Sequence, residues 1–198
     1  MSSNVKRAAV FLDRDGTLIR DVKYLCAVEQ IEILPGAAAA LLLLRAHGFK
    51  LVVVTNQSAV ARGRLSELDL QAIHAELMER LGRDGAVLDA IYYCPHHPTE
   101  GLGDFHRICE CRKPKTGMIE RAARELDLDP KLSYVVGDKW TDIELAQGAG
   151  ATGIFIGRDE AKNGAVTGFD VPLVADLRQA AEWIVGHSRC VRTGAKNP

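Results

Sequence analysis

Residues 8–18 read Ala-Ala-Val-Phe-Leu-Asp-Arg-Asp-Gly-Thr-Leu. The apolar run from Ala8 to Leu12 ends abruptly in two carboxylates, Asp13 and Asp15. A short continuous apolar run predicts a strand buried on both faces, as in a parallel sheet. Gly16 then permits a sharp turn. The carboxylates thus sit where a parallel strand ends, which is where open α/β sheets place their ligands. Residues two apart in an extended chain point the same way, so Asp13 and Asp15 face one site and Arg14 points elsewhere. Two adjacent carboxylates repel and need a cation, a proton or both. A divalent metal with a phosphorylated substrate meets that need.

Outward from this stretch, strand and helix patterns alternate. After an irregular excursion through Tyr24 to Ile33, Pro35-Gly36 opens a helix from Ala37 to Ala46, closed by His47-Gly48. Leu51 to Val54 is a second buried strand, followed by a polar loop, Thr55-Asn56-Gln57-Ser58. Ser66 and Asp69 form a capping box ahead of Leu70, Ile73, Leu77 and Leu81 at helical spacing. Asp89 to Tyr93 reads as a third strand, and Cys94 to Pro114 as a long irregular segment. Met118 to Leu126 is helical. A fourth strand, Tyr134 to Val136, ends in Gly137-Asp138. A helix from about Thr141 to Ala149, a fifth strand from Thr152 to Ile156, an edge strand at Leu173 to Ala175 and a helix from Leu177 to Val185 follow. Glu29 to Glu32 and Ala161 to Gly168 read as loops, and the tail from Gly186 as loosely held. The alternation predicts an α/β fold, a doubly wound parallel sheet, in a single domain over residues 1–198. Three strands end in polar groups: Asp13 and Asp15, Thr55 and Asn56, and Asp138.

Composition narrows the function classes. Of 198 residues, 47% are hydrophobic, enough for a real core, and the net charge of −1 gives no basic character for nucleic acid. No run approaches the ~20 apolar residues of a membrane span. Met1 to Arg7 leads directly into the first strand, so no signal peptide and a cytoplasmic location are expected. Five cysteines there would be reduced. Cys94, His96, Cys109 and Cys111 offer three thiolates and an imidazole, a donor set that suits a closed, structural zinc site. His97 and His106 are rival ligands; Cys26 and Cys190 have no evident partners.

Asp13-x-Asp15-Gly16-Thr17, Thr55, Lys113 and Gly137-Asp138-x-x-x-Asp142 together resemble the motifs of the haloacid dehalogenase superfamily, in its order and over nearly the whole chain. The resemblance implies a Rossmann-like domain with Asp13 as nucleophile, Asp15 as general acid and base, Thr55 and Lys113 on the phosphoryl group, and Mg²⁺ held by Asp13, Asp138 and the backbone carbonyl of Asp15. Asp142 would stand behind the ligands. An acid at Asp15 favours a phosphatase over the pumps and dehalogenases. The space between Asp13 and Thr55 holds no large cap, which argues against a mutase.

Finer motifs are Phe11-Leu12-Asp13-Arg14-Asp15-Gly16, Val54 to Ser58 with Ala61-Arg62-Gly63, Tyr93 to Pro98, Cys109 to Pro114 and Gly137-Asp138-Lys139. They are similar to the branch of sugar-bisphosphate phosphatases that removes the 7-phosphate of a heptose 1,7-bisphosphate for lipopolysaccharide synthesis. By that resemblance Asn56, Gln57, Ser58, Arg62 and Lys139 contact substrate, Arg62 as a cation for the phosphate that stays behind; Arg112, directly after Cys111 in the zinc loop, is placed to contact a second anionic or polar part of the substrate. Histidinol-phosphate phosphatases share the zinc loop, over about residues 94–114, and the Asp-Gly-Thr-Leu segment, and are the alternative. A zinc-stabilised interaction module with a vestigial site is a reading from another class. A monomer with no nucleic-acid or membrane partner is expected.

Overall fold

The computed structural model describes residues 6–157 and 171–193, with side chains as far as residue 190. The described strands are β1 (Ala9–Leu12), β2 (Lys50–Asn56), β3 (Ala90–Cys94), β4 (Tyr134–Gly137), β5 (Thr152–Ile156) and β6 (Leu173–Val174). They form one parallel sheet in the order β3-β2-β1-β4-β5-β6. The chain winds outward from β1 to β3, returns to β4 beside β1, then winds the other way. The topological switch point therefore lies between the carboxyl ends of β1 and β4, where such sheets open a crevice.

Strand alternation divides the core in two. Val10, Leu12, Leu51 and Val53 pack with Leu41 and Leu44 of α1 (Ala37–Ala46), with Leu70, Ile73, Leu77 and Leu81 of α3 (Glu67–Arg83), and with Ala180, Ala181 and Ile184 of α6 (Leu177–Thr193). Ala9, Phe11, Val52 and Val54 face the other way, against Met118, Ile119 and Ala122 of α4 (Gly117–Glu125) and Leu145 and Ala146 of α5 (Trp140–Ala149). The short α2 (Ser58–Ala61) follows β2 directly. The expected capping box is present: Asp69 N–H donates to Ser66 Oγ at 3.0 Å, and Ser66 N–H to Asp69 Oδ2 at 3.1 Å. Between β1 and β2 the chain forms only a pinned excursion with a short 3-10 turn, Val28–Gln30, ahead of α1, so no large cap is inserted there.

Four expectations need correction. Thr55 and Asn56 continue β2, pairing with Tyr93 and Cys94, and Ser58 begins α2. The third strand starts at Ala90 and runs to Cys94. Part of the stretch read as the Glu29–Glu32 loop belongs to the 3-10 turn. Gly186 lies inside α6 and does not begin a loose tail. There Tyr134 stands 2.9 Å from His187 Nδ1, and Trp183 stacks on the His187 ring at 4.7 Å, so contacts on both sides of the glycine carry the helix across it. The Ala161 to Gly168 reading lies outside the described residues.

Asp89 joins the start of β3 to β2. It takes hydrogen bonds from Leu51 N–H at 2.8 Å and from Lys50 Nζ at 2.5 Å, and its own N–H donates to Leu51 O at 2.7 Å. Burial alone would raise its carboxyl, but the Lys50 and Leu51 bonds outweigh it and hold it below the usual range. Its contribution is then present above the ordinary carboxylate pKa and lost as pH falls through the lowered folded value. Asp89→Ala should cost about 1 kcal/mol at pH 7, after allowance for solvent screening of the pair. Thermal denaturation should show the gap between variant and wild type closing in acid; a gap that stays constant with pH would contradict this account.

Candidate active site

The ends of β1 and β4 meet at a cluster of buried charge. Asp13 follows β1 and is 4% exposed; its N–H donates to Val136 O at 2.9 Å, tying Asp13 to β4. Asp138 follows β4, and Asp142 lies one turn into α5. One carboxylate oxygen from each of Asp13, Asp138 and Asp142 falls within a 4.8 Å group. Lys113 brings the opposing charge: its Nζ lies 2.9 Å from Asp13 Oδ1 and 2.6 Å from Asp142 Oδ1. Burial alone would lower the Lys113 ammonium, but Asp13 and then Asp142 outweigh it and hold it charged.

One ammonium does not balance three carboxylates. Burial pushes the Asp138 carboxyl up to about 6; Lys139 opposes this, and Asp13 and Asp142 add to it. Asp138 Oδ1 is buried with no hydrogen-bond partner. A buried, unsatisfied carboxylate oxygen beside another carboxylate is the donor arrangement of a hard divalent cation. Asp13 and Asp138 fit Mg²⁺ on that ground. Asp142 is occupied by Lys113 and by Lys139 N–H at 3.2 Å, which suits a supporting place.

Two glycines make room for these acids. Gly16 has φ +82°, and a Cβ there would lie 2.0 Å from Asp138 Oδ2; a Cβ at Gly137 would lie 2.1 Å from Asp142 Oδ2. The Asp-Gly pairing in the sequence therefore serves the carboxylate of a different strand as well as the local turn.

Thr55 is buried at the end of β2, and its Oγ1 accepts from Gln57 Nε2 at 2.9 Å. Asn56 grips the backbone of Lys113: its Oδ1 accepts from Lys113 N–H at 3.0 Å and its Nδ2 donates to Lys113 O at 3.2 Å. Gln57 faces Asp15, Thr55 and Arg14. The carboxamides of Asn56 and Gln57, expected on substrate, are thus engaged by residues of the site itself. Ser58 begins α2. Arg62 pairs with Glu100, and its guanidinium carbon lies 5.6 Å from the Tyr24 ring centroid; Arg64 lies over the same ring at 4.3 Å. Arg112 Nη1 donates to His96 O at 3.0 Å, and Lys139 Nζ lies 3.2 Å from Asp21 Oδ2.

Arg14 departs from expectation. Strand alternation directed it away from Asp15, yet its buried guanidinium returns to that carboxylate at 2.9 Å. β1 ends at Leu12, and Arg14 already belongs to the loop at Gly16, where Leu18 N–H and Ile19 N–H both donate to Arg14 O, so strand alternation does not reach it. His74, another buried neighbour of Arg14, carried no sequence signal beyond its place on the apolar face of α3.

At the far end of the loop, Cys94, His96, Cys109 and Cys111 converge. The Sγ atoms of Cys94 and Cys109 are 3.5 Å apart and those of Cys109 and Cys111 3.3 Å, and His96 Nδ1 lies 3.3 Å from Cys111 Sγ. A tetrahedron with Zn–S arms of about 2.3 Å has edges of about 3.8 Å, so the cluster fits zinc. Bonds from Cys94, Cys109 and His96 lower the Cys111 thiol to about 5, while the bond to Cys111 and burial raise that of Cys94. Arg107 Nη2 meets His96 Nε2 at 2.7 Å. With a metal on Nδ1 the ring proton sits on Nε2, and that guanidinium would turn aside. His97 and His106 bond within their own loop, to Glu100 N–H and Pro98 O, outside the group of four.

A family model described as "HAD-hyrolase-like" matches residues 110–180. A Pasteurella multocida protein named D-glycero-beta-D-manno-heptose-1,7-bisphosphate 7-phosphatase is 40% identical over 179 residues, 90% of this chain and 91% of that one. The chain belongs to the haloacid dehalogenase superfamily of phosphatases. It is a phosphoric monoester hydrolase. A Haemophilus ducreyi protein of the same name is 47% identical over 145 residues, 73% of this chain and 79% of that one. A solved structure of D,D-heptose 1,7-bisphosphate phosphatase from B. bronchiseptica, complexed with magnesium and phosphate, matches with a TM-score of 0.79 and 32% identity over 91% of this chain and 99% of that one. Among the described residues no helix is long and apolar enough to cross a membrane.

The geometry makes Gly16→Ala a sharp test of the site. The left-handed turn should cost about 1 kcal/mol of stability. The added Cβ must displace the Asp138 carboxylate, and kcat/KM should fall about 100-fold or more. Phosphate release and thermal denaturation measured together would show the two effects; full activity would mean that Asp138 is free to move without cost.

Proposed function

We propose that this phosphatase removes the 7-phosphate of D-glycero-D-manno-heptose 1,7-bisphosphate, in the supply of nucleotide-activated heptose for lipopolysaccharide. The similarity at 37–47% identity to enzymes of that name carries the substrate, and the convergence of Asp13, Asp138 and Lys113 supports the chemistry. A carboxylate of Asp13 attacks phosphorus, forming a P–O bond as the bond to the sugar oxygen breaks. Lys113 holds charge on the phosphoryl oxygens, and Thr55 Oγ1 donates to one of them. Asp15 passes a proton to the departing sugar oxygen. Asp15 then takes a proton from the water that attacks phosphorus, and the bond to Asp13 breaks to release phosphate. Asp13, Asp138 and the Asp15 carbonyl would hold Mg²⁺, which would supply charge neutralisation for the incoming phosphate. Cys94, His96, Cys109 and Cys111 would hold zinc, which would fix the loop that delivers Arg112 and Lys113.

The two metals should separate experimentally. Mild EDTA should abolish turnover and Mg²⁺ restore it, with zinc remaining in the protein. Cys109→Ser should lower both zinc content and Tm, since metal binding is coupled to folding. Protein purified without zinc, with Cys109→Ser as stable as wild type, would remove the zinc reading.

The decisive experiment is phosphate release with Mg²⁺ from heptose 1,7-bisphosphate, histidinol phosphate and p-nitrophenyl phosphate, with Asp13→Asn as the inactive control. The heptose bisphosphate should be cleaved far more efficiently, because binding at the remote phosphate positions the reacting one. Arg62→Ala and Arg112→Ala should lower kcat/KM for the bisphosphate more than for p-nitrophenyl phosphate. Equal losses on both would make these arginines structural, and a preference for histidinol phosphate would overturn the substrate.

A further inference from the structure

Arg14 is 1% exposed, among the largest fully buried side chains. Its Nε lies 3.3 and 3.2 Å from Asp15 Oδ1 and Oδ2, and its Nη2 lies 3.1 and 2.9 Å from the same two atoms. Nη2 also donates to Gln57 Oε1 at 2.9 Å, and Nη1 faces His74 Nε2 at 3.2 Å. Guanidinium has donors only. Gln57 must therefore turn its oxygen to Arg14, which leaves its nitrogen to donate to Asp15 Oδ2 and Thr55 Oγ1, both at 2.9 Å. By the same logic His74 Nε2 must accept, so the ring is neutral with its proton on Nδ1. Burial, and then Arg14, lower the His74 imidazole to about 3, in agreement.

A buried guanidinium is costly unless every prong is matched. Here the prongs are matched by the carboxylate of Asp15, the carboxamide that also touches Thr55, and a histidine on the inner face of α3. Asp15 itself sits on a loop, where a side chain of its length would otherwise sample several rotamers. We propose that Arg14, braced by Gln57 and by His74 of α3, is a positioning residue that fixes the Asp15 carboxyl at the oxygen of the departing alcohol. The inference rests on the reading of Asp15 as the group that protonates that oxygen. It goes beyond that reading by making a helix remote from phosphorus responsible for where the proton is delivered, and by giving Gln57 a supporting place behind Asp15.

The consequence is a dependence on the leaving group. p-Nitrophenolate departs without a proton, whereas an alkoxide does not. His74→Phe keeps a ring and removes the acceptor; His74→Gln returns an acceptor near the position of Nε2. Single-turnover release of the alcohol, p-nitrophenol from p-nitrophenyl phosphate and glycerol from glycerol 3-phosphate, isolates the first step from the later hydrolysis and should be compared across these variants with Mg²⁺ saturating. His74→Phe should lose about tenfold or more in the rate of glycerol release at saturating glycerol 3-phosphate, with the half-saturating concentration little changed, and much less in the rate of p-nitrophenol release. His74→Gln should recover most of the loss. Arg14→Lys, which keeps the charge and loses the fork, should show the same selectivity independently. Equal losses on both esters, tracking a fall in Tm, would make the network structural and overturn the proposal. Asp15→Asn in the same assay distinguishes the two levels. If it shows the leaving-group dependence and neither the His74 nor the Arg14 variant does, positioning falls alone. If Asp15→Asn shows none, the role of Asp15 falls and takes the proposal with it.

Discussion

The ammonium of Lys113 between Asp13 and Asp142 is the interaction on which the rest of the site depends. All three groups are almost wholly withdrawn from solvent. Charges so placed are tolerable only when paired and held in good geometry. The pairing joins three parts of the chain that are far apart in sequence: the end of β1, the first turn of α5 and the exit of the cysteine-containing loop. It also leaves a remainder. With Asp138 counted, three carboxylates surround one buried cation, and Asp138 Oδ1 has no hydrogen-bond partner, only the half-exposed Lys139 ammonium 4.0 Å away. That unbalanced negative charge suits the crevice to a divalent cation, the place the proposed mechanism gives Mg²⁺.

The switch-point topology explains why this charge can be concentrated without breaking the sheet. β1 and β4 are adjacent and parallel, so Asp13 and Asp138 leave the sheet side by side. Gly16 leaves room for the Asp138 carboxylate, and Gly137 for that of Asp142. Lys113 must then be delivered from outside the sheet. Asn56, at the last position of β2, holds its peptide group on both sides, and Arg112 is tied to His96 O. The loop carrying the lysine is thus held at its exit by β2 and, on the zinc reading, at its root by Cys94 and His96.

Much of this was legible in the sequence because it rests on period and order. Apolar runs ending in Asp, the capping box at Ser66 and the spacing of Cys94, His96, Cys109 and Cys111 each have a local cause. What escaped was set by partners remote in sequence. Thr55 and Asn56 read as loop because they are polar, but Gln57 and the Lys113 backbone satisfy them and β2 continues through them. Gly186 read as a helix end, but an isolated glycine costs only about 1 kcal/mol, and the contacts among Tyr134, Trp183 and His187 flank it. Arg14 was misdirected because alternation holds only while the strand does, and β1 ends at Leu12, ahead of Arg14.

The rim follows different energetics from the crevice. Arg62 has Glu100 and Lys139 has Asp21, in partly exposed pairs of the kind worth about 0–1 kcal/mol. Such pairs hold long side chains in place at little cost and can be exchanged for an arriving phosphate. Lys113 cannot be recruited in this way, since drawing it from Asp142 would leave a fully buried carboxylate uncompensated. Its position must already suit the phosphoryl group before substrate arrives. On the proposed mechanism the division follows from burial: the buried lysine would fix where chemistry occurs, and the exchangeable cations around it would sort substrates by how much further negative charge they carry.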